Sequence, residues 1–203
     1  MEEEKFNIIL NDELETMAKQ AYESAKDKGF YQNGYDATFY LMFIIVEMCE
    51  VLQADKKDRH GSIEDYESEI EMGRDITTAY KNTLEGTVES EFADIAIRIL
   101  SLLGSIIEKE KTELMEDEDL IGEYKLAKFI FGFDLVKDLY RLNKKIVILG
   151  LADSPNWHLA KYIQEMLMDI FAIAHKHNIN LMKHIWLKMK YNESRPYLHG
   201  YKY

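Results

Sequence analysis

Two apolar helical stretches, each interrupted by a pair of carboxylates three residues apart, constrain this chain more than any other feature. The first is Phe39-Tyr40-Leu41-Met42-Phe43-Ile44-Ile45-Val46-Glu47-Met48-Cys49-Glu50-Val51-Leu52. Apolar residues surround its acids so evenly that no side reads as a solvent face, and Glu47 and Glu50 are expected to be largely buried. The second is Glu91-Phe92-Ala93-Asp94-Ile95-Ala96-Ile97-Arg98-Ile99-Leu100-Ser101-Leu102-Leu103, in which Glu91 and Asp94 again stack one turn apart. Four carboxylates are thus expected in one core. An isolated buried carboxylate must be protonated, paired or neutralised by a cation. An all-oxygen donor set favours magnesium, then manganese, and magnesium commonly engages substrate phosphates as well. Exposed helix faces also carry glutamates at this spacing, but two such pairs inside apolar runs favour a metal site.

The rest of the chain is consistent with an all-α, single-domain protein over residues 1–203. Only two prolines and ten glycines occur, 47% of the residues are hydrophobic, and helical periodicity runs along most of the length. Asn11 and Asp12 are placed to cap a first helix that stops at Gly29. Asp36 caps the first acidic helix, with Gly61 as its boundary, and Thr87 caps the second, which runs to Lys111. Ser62 with Asp65 opens a polar segment to about Tyr80. The 113–119 acidic run reads as a solvated turn. Residues 145–150 suit helix or buried strand, and helix is preferred because a lone strand lacks partners. Ser154-Pro155 starts a helix that ends near His177, and a last helix begins at Leu181. Glu165 and Asp169 faintly echo the first acidic pair.

A net charge of −12 disfavours a general nucleic-acid or membrane-surface binder. Cys49 is the single cysteine and reads as a small packed residue in a reducing compartment. No signal peptide is evident, no apolar run is expected to span a bilayer, and the expected location is cytoplasmic. A ferritin-like di-iron site needs a histidine three residues after a glutamate. None of the six histidines qualifies, since the residues three before them are Lys57, Pro155, Ala172, Ala174, Leu181 and Pro196. At the C-terminus Lys188, Asn192 and Arg195 share one helical stripe, which would place two cations and an amide together as a phosphate clamp. The same residues also suit an ordinary basic helix end.

The two acidic stretches and the closing Lys188-Met189-Lys190-Tyr191-Asn192-Glu193-Ser194-Arg195-Pro196-Tyr197-Leu198-His199-Gly200 resemble the MazG-like, all-α nucleoside triphosphate pyrophosphohydrolases, relatives of the dimeric all-α dUTPases. The resemblance implies a helical bundle forming a homo-oligomer, dimer or tetramer. It implies Mg2+, or Mn2+, on Glu47, Glu50, Glu91 and Asp94, with the outer phosphates on Lys188, Asn192 and Arg195. The implied reaction cleaves a nucleoside triphosphate between the α and β phosphates, giving a nucleoside monophosphate and pyrophosphate. Val46 stands where the family often has a further glutamate, so a water-activating role there is unfilled. The 51–90 connection is longer than usual, as for an inserted lid or oligomer contact. The alternative is a non-catalytic helical binding or assembly protein with a vestigial acidic site. Tyr31, Tyr35 and Phe39 are among many aromatics able to stack on a base.

Overall fold

The computed structural model describes residues 8–34, 36–150 and 156–197. Among them are nine helices and no strand: α1 Asn11–Asp27, α2 Ala37–Lys56, α3 Ile63–Glu71, α4 Ile76–Thr83, α5 Val88–Glu110, α6 Asp117–Ile130, α7 Leu135–Gly150, α8 Asn156–Lys176 and α9 Leu181–Glu193. Residues 145–150 are the end of α7, so the short β-branched run is helical as expected. The start of α8 at Ser154-Pro155, together with Tyr35, Leu198, His199 and Gly200, lies outside the described residues.

Helix α5 is the axis of the bundle, with α1, α2, α8 and α9 packed around it. Its apolar residues point in every direction, and Phe92, Ala93, Ile95, Ala96, Ile99, Leu100 and Leu103 are completely buried. Each of the larger side chains contributes roughly 1.5–3 kcal/mol relative to exposure. The ends of α5 are set locally. The Thr87 hydroxyl accepts from Ser90 N at 3.3 Å and donates to the Leu84 carbonyl at 2.8 Å, while Lys111 ends the helix in the left-handed conformation. Asp36 caps α2 by accepting from Phe39 N, and Ser62 caps α3 by accepting from Asp65 N.

The polar segment after Ser62 forms two short helices rather than one. A second, smaller core of Tyr66, Ala79, Tyr80, Leu84, Leu187 and Tyr191 fastens it to α9. Tyr80 stacks on Tyr191 with ring centroids 4.5 Å apart and planes within 8° of parallel.

Several local expectations are corrected. Leu10 is the N-cap of α1, and the N–H of Asn11 is satisfied by Asp117 at the start of α6 at 2.8 Å. Helix α2 stops at Lys56, where Asp58 turns the chain with a φ of 52°, five residues before Gly61. It also has a solvent face, because α5 covers only one side of it: Met42, Val46, Cys49, Glu50 and Gln53 are exposed. Cys49 is therefore not a packed residue. At 20 residues α2 is also long and apolar enough to cross a membrane by length and composition, contrary to the sequence expectation, and a third of its most apolar stretch is buried in the bundle.

Helices α1 and α5 approach closely at Gly104. A Cβ on Gly104 would sit 2.2 Å from the carbonyl oxygen of Ala18 and 2.8 Å from its carbonyl carbon, so the two backbones are in contact there. Backbone cannot yield as a side chain can. Replacing Gly104 with alanine should cost about 2–3 kcal/mol through overpacking, more than the ~1 kcal/mol that alanine adds in helix propensity. Urea unfolding measures this, and a Gly104→Ala protein as stable as wild type would contradict the packing described.

Candidate metal and phosphate site

Helices α2 and α5 run antiparallel, so the later acid of one pair meets the earlier acid of the other. Glu47, Glu50 and Glu91 each present a carboxylate oxygen, and the three oxygens lie within 4.8 Å of one another. Glu47 and Glu91 are each 7% exposed, whereas Glu50 is exposed, contrary to its expected burial, because it sits on the open face of α2. Asp94 is partly covered. The four acids therefore line the wall of a cleft and do not sit within a sealed core. That cleft, about 900 Å³, also includes Lys188, Asn192 and Arg195 in its lining. It is large enough for a nucleotide.

Two of the acids have internal counter-ions. Arg98 lies one turn beyond Asp94 on α5 and meets Glu47 Oε1 through both Nε and Nη2 at 2.9 Å, while its guanidinium stands 5.4 Å from the ring centroids of Phe30 and Phe43. Lys188 is buried, and its Nζ is 2.5 Å from Asp94 Oδ2 and 3.2 Å from Ser90 Oγ. The Ser90 hydroxyl also shares a 2.9 Å hydrogen bond with Tyr80, so the 51–90 connection reaches the site through Tyr80, Ser90 and Lys188. Burial alone would lower the pKa of Lys188. The charges of Asp94, Tyr80 and Glu91 and the hydrogen bond to Asp94 outweigh it, and the ammonium is held protonated.

Lys188 is thus not free to grip a phosphate, as the clamp requires, because it neutralises Asp94. Asn192 and Arg195 do share the cleft. Arg195 follows the end of α9, with its guanidinium 5.8 Å from the Tyr191 ring centroid, and the side-chain oxygen of Asn192 is buried with no hydrogen-bond partner among the described residues. Lys28, the C-cap of α1, donates to the carbonyls of Glu193 and Arg195, which holds this segment against the cleft. Arg98, Ser90 and Tyr80 were not singled out in the sequence. Arg98 had a visible signal, since it is the lone cation of the second apolar run and stacks on Asp94 and Glu91. Tyr80 had none.

Among the described residues neither Glu91 nor Glu50 has a cation within ion-pair distance. Burial raises the pKa of Glu47, the charge of Asp94 adds to this, and Arg98 opposes it. Burial likewise raises that of Glu91, reinforced by Asp94 and partly offset by Lys188. The donor set of three converging carboxylates, two of them desolvated, fits a hard divalent cation. Asp94, paired with Lys188, is not among the converging carboxylates. Across the cleft lining eight acids face five lysines and arginines, so a bare triphosphate is repelled while a cation is attracted.

The third acidic pair, Glu165 and Asp169, makes internal ion pairs. Asp169 is buried and bonded to Lys145 at 2.5 Å, and Glu165 lies 4.0 Å from Lys161. Tyr31 and Phe39 line a small aromatic hollow beside the cleft, sharing Phe30, Phe43, Arg98 and Ser101 with it.

A carboxyl whose pKa is raised on folding binds more protons in the native state than in the unfolded one, so its contribution to stability falls as pH rises through that interval. In chelator, the melting temperature of wild type relative to Glu91→Gln should therefore rise as pH is lowered from about 8 to about 5. Calorimetry at several pH values checks this. A difference that is constant or of opposite slope would mean that Glu91 is not strained.

No protein-family model, curated protein or solved structure matches this chain.

Proposed function

We propose that this protein hydrolyses a nucleoside triphosphate, NTP or dNTP, to the nucleoside monophosphate and pyrophosphate in a magnesium-dependent reaction. The observation that carries this reading is the convergence of Glu47, Glu50 and Glu91 in a nucleotide-sized cleft that Asn192 and Arg195 also line. The resemblance of the same stretches to the MazG-like enzymes supports it.

In this reading Glu47, Glu50 and Glu91 hold the metal, with Asp94 joining once Lys188 withdraws. Magnesium, when bound, polarises a phosphoryl oxygen and lowers the pKa of a coordinated water. Arg98 fixes the rotamer of Glu47 by two hydrogen bonds to one oxygen and is a positioning residue. Arg195 and Asn192 line the same cleft as the acids. There the guanidinium balances the charge of the pyrophosphate leaving group, while the amide orients through its N–H2 donors. Lys188, released from Asp94, remains tied to Ser90 and adds a second cation beside the phosphates. The aromatic wall of Phe30 and Phe43 is where a base meets apolar surface. A cytoplasmic homo-oligomer acting on free nucleotides is the setting proposed for this chemistry.

The test is a screen of the common NTPs and dNTPs for pyrophosphate release, with magnesium and with chelator. At least one nucleotide should turn over only with metal. Glu91→Gln should abolish turnover, and Arg98→Met should reduce it by roughly 10–100-fold, the usual cost of losing a residue that orients a metal ligand. Arg195→Ala should raise KM for the triphosphate with little change in metal affinity. Release of orthophosphate instead of pyrophosphate, or turnover indifferent to chelator, would reject the reading.

A further inference from the structure

One corner of the molecule, remote in sequence from the acidic cleft, has a surface that does not suit a chain of this charge. Where α6 gives way to α7, six large apolar side chains are exposed within fifteen residues: Leu126 51%, Phe129 89%, Ile130 42%, Phe133 78%, Val136 59% and Tyr140 64%. Such clustering is not the scattered exposure common to soluble surfaces. The same stretch is also basic. Between residues 125 and 145 six lysines and arginines face two aspartates, a local balance of +4 in a chain of −12, which leaves −16 for everything else.

Both aspartates are already matched, and Lys145 is held by Asp169 of α8, which lowers the balance at this corner to +3. Asp138 is buried and bonded to Arg141 and to the N–H of Gly132, and Asp134 pairs with Lys137 at 2.7 Å. The cations fringe the apolar residues. Lys176 from α8 stands 5.2 Å from the ring centroid of Phe133, and Lys144 stands 5.9 Å from that of Tyr140.

We propose that the α6–α7 corner is a docking surface for an anionic phospholipid bilayer. Aromatic and aliphatic side chains that project from a basic surrounding are what the headgroup region accepts, and the combination supplies the two signals that reversible peripheral binding needs. Phe129 and Phe133 project almost without contacts, so they enter a fluid interface without needing a complementary pocket. The overall charge of −12 does not prevent this, because at physiological ionic strength only charges within about 8 Å of the lipid surface act on it. The corner meets the bilayer with its own positive balance. A twofold pairing with a second copy would instead set this positive corner against itself. The cytoplasmic leaflet, with its negative surface potential, is the matching surface for a protein of that compartment.

The experiment is flotation of the full chain with vesicles of equal parts phosphatidylglycerol and phosphatidylcholine, and with vesicles of phosphatidylcholine alone. Wild type should float with the anionic vesicles and not with the neutral ones, and high salt should release it. The double variant Phe129→Ser, Phe133→Ser should bind at least about tenfold more weakly, with an unchanged melting temperature because both residues are exposed. Lys137→Glu with Lys144→Glu should weaken binding by at least about tenfold as well. Absence of binding to anionic vesicles, or binding that survives both double variants, overturns the proposal. Retention on immobilised polyglutamate without vesicle binding overturns it in favour of an acidic protein. A dimer that the phenylalanine variant splits, again without vesicle binding, overturns it in favour of a second copy.

Discussion

The need to keep four carboxylates together beside an apolar core governs this structure. Carboxylates this close repel, and two of them are largely removed from water, so the fold must supply opposing charge or leave the acids protonated. It supplies half. Arg98 takes Glu47 and Lys188 takes Asp94, and both pairs are made by side chains from the axis of the bundle or from a helix against it. The remainder, Glu91 with Glu50 beside it, is what a divalent cation would complete. The same acids that make the metal-free site uncomfortable are those that would make a bound metal a source of stability.

Lys188 links this electrostatic problem to the rest of the fold. Its ammonium is reached from Asp94 on one side and from Ser90 and Tyr80 on the other, and the Tyr80 ring stacks on Tyr191 one turn further along α9. The 51–90 connection is therefore joined to the cleft by a buried polar chain inside a small aromatic core. Such a buried network is costly to leave half-satisfied, so a change in the partner of Lys188 is transmitted to Ser90 and Tyr80. In this respect the connection belongs to the site, whatever else it covers.

Much of the architecture was legible in the sequence because it depends on local signals. Asp36, Ser62 and Thr87 cap the helices they were expected to cap. The two acidic pairs were recognisable because charged residues inside apolar runs have few explanations. What was not legible depends on tertiary placement. Glu50 and Cys49 sit in the same apolar run as Glu47 yet face solvent, because only one side of α2 is covered and the sequence does not say which. The stripe of Lys188, Asn192 and Arg195 was visible as a period, but that Lys188 meets Asp94 depends on α9 lying against α5. Gly104 carries no sequence signal that it is the point where two backbones touch.

The account rests on a divalent cation at the acidic wall, and a manganese-soaked crystal tests that most directly. The account predicts an anomalous peak bounded by the carboxylates of Glu47, Glu50 and Glu91, with Lys188 Nζ withdrawn from Asp94 and still near Ser90. A cleft with no peak and with the Lys188 to Asp94 pair intact, under manganese concentrations that saturate comparable carboxylate sites, would contradict it.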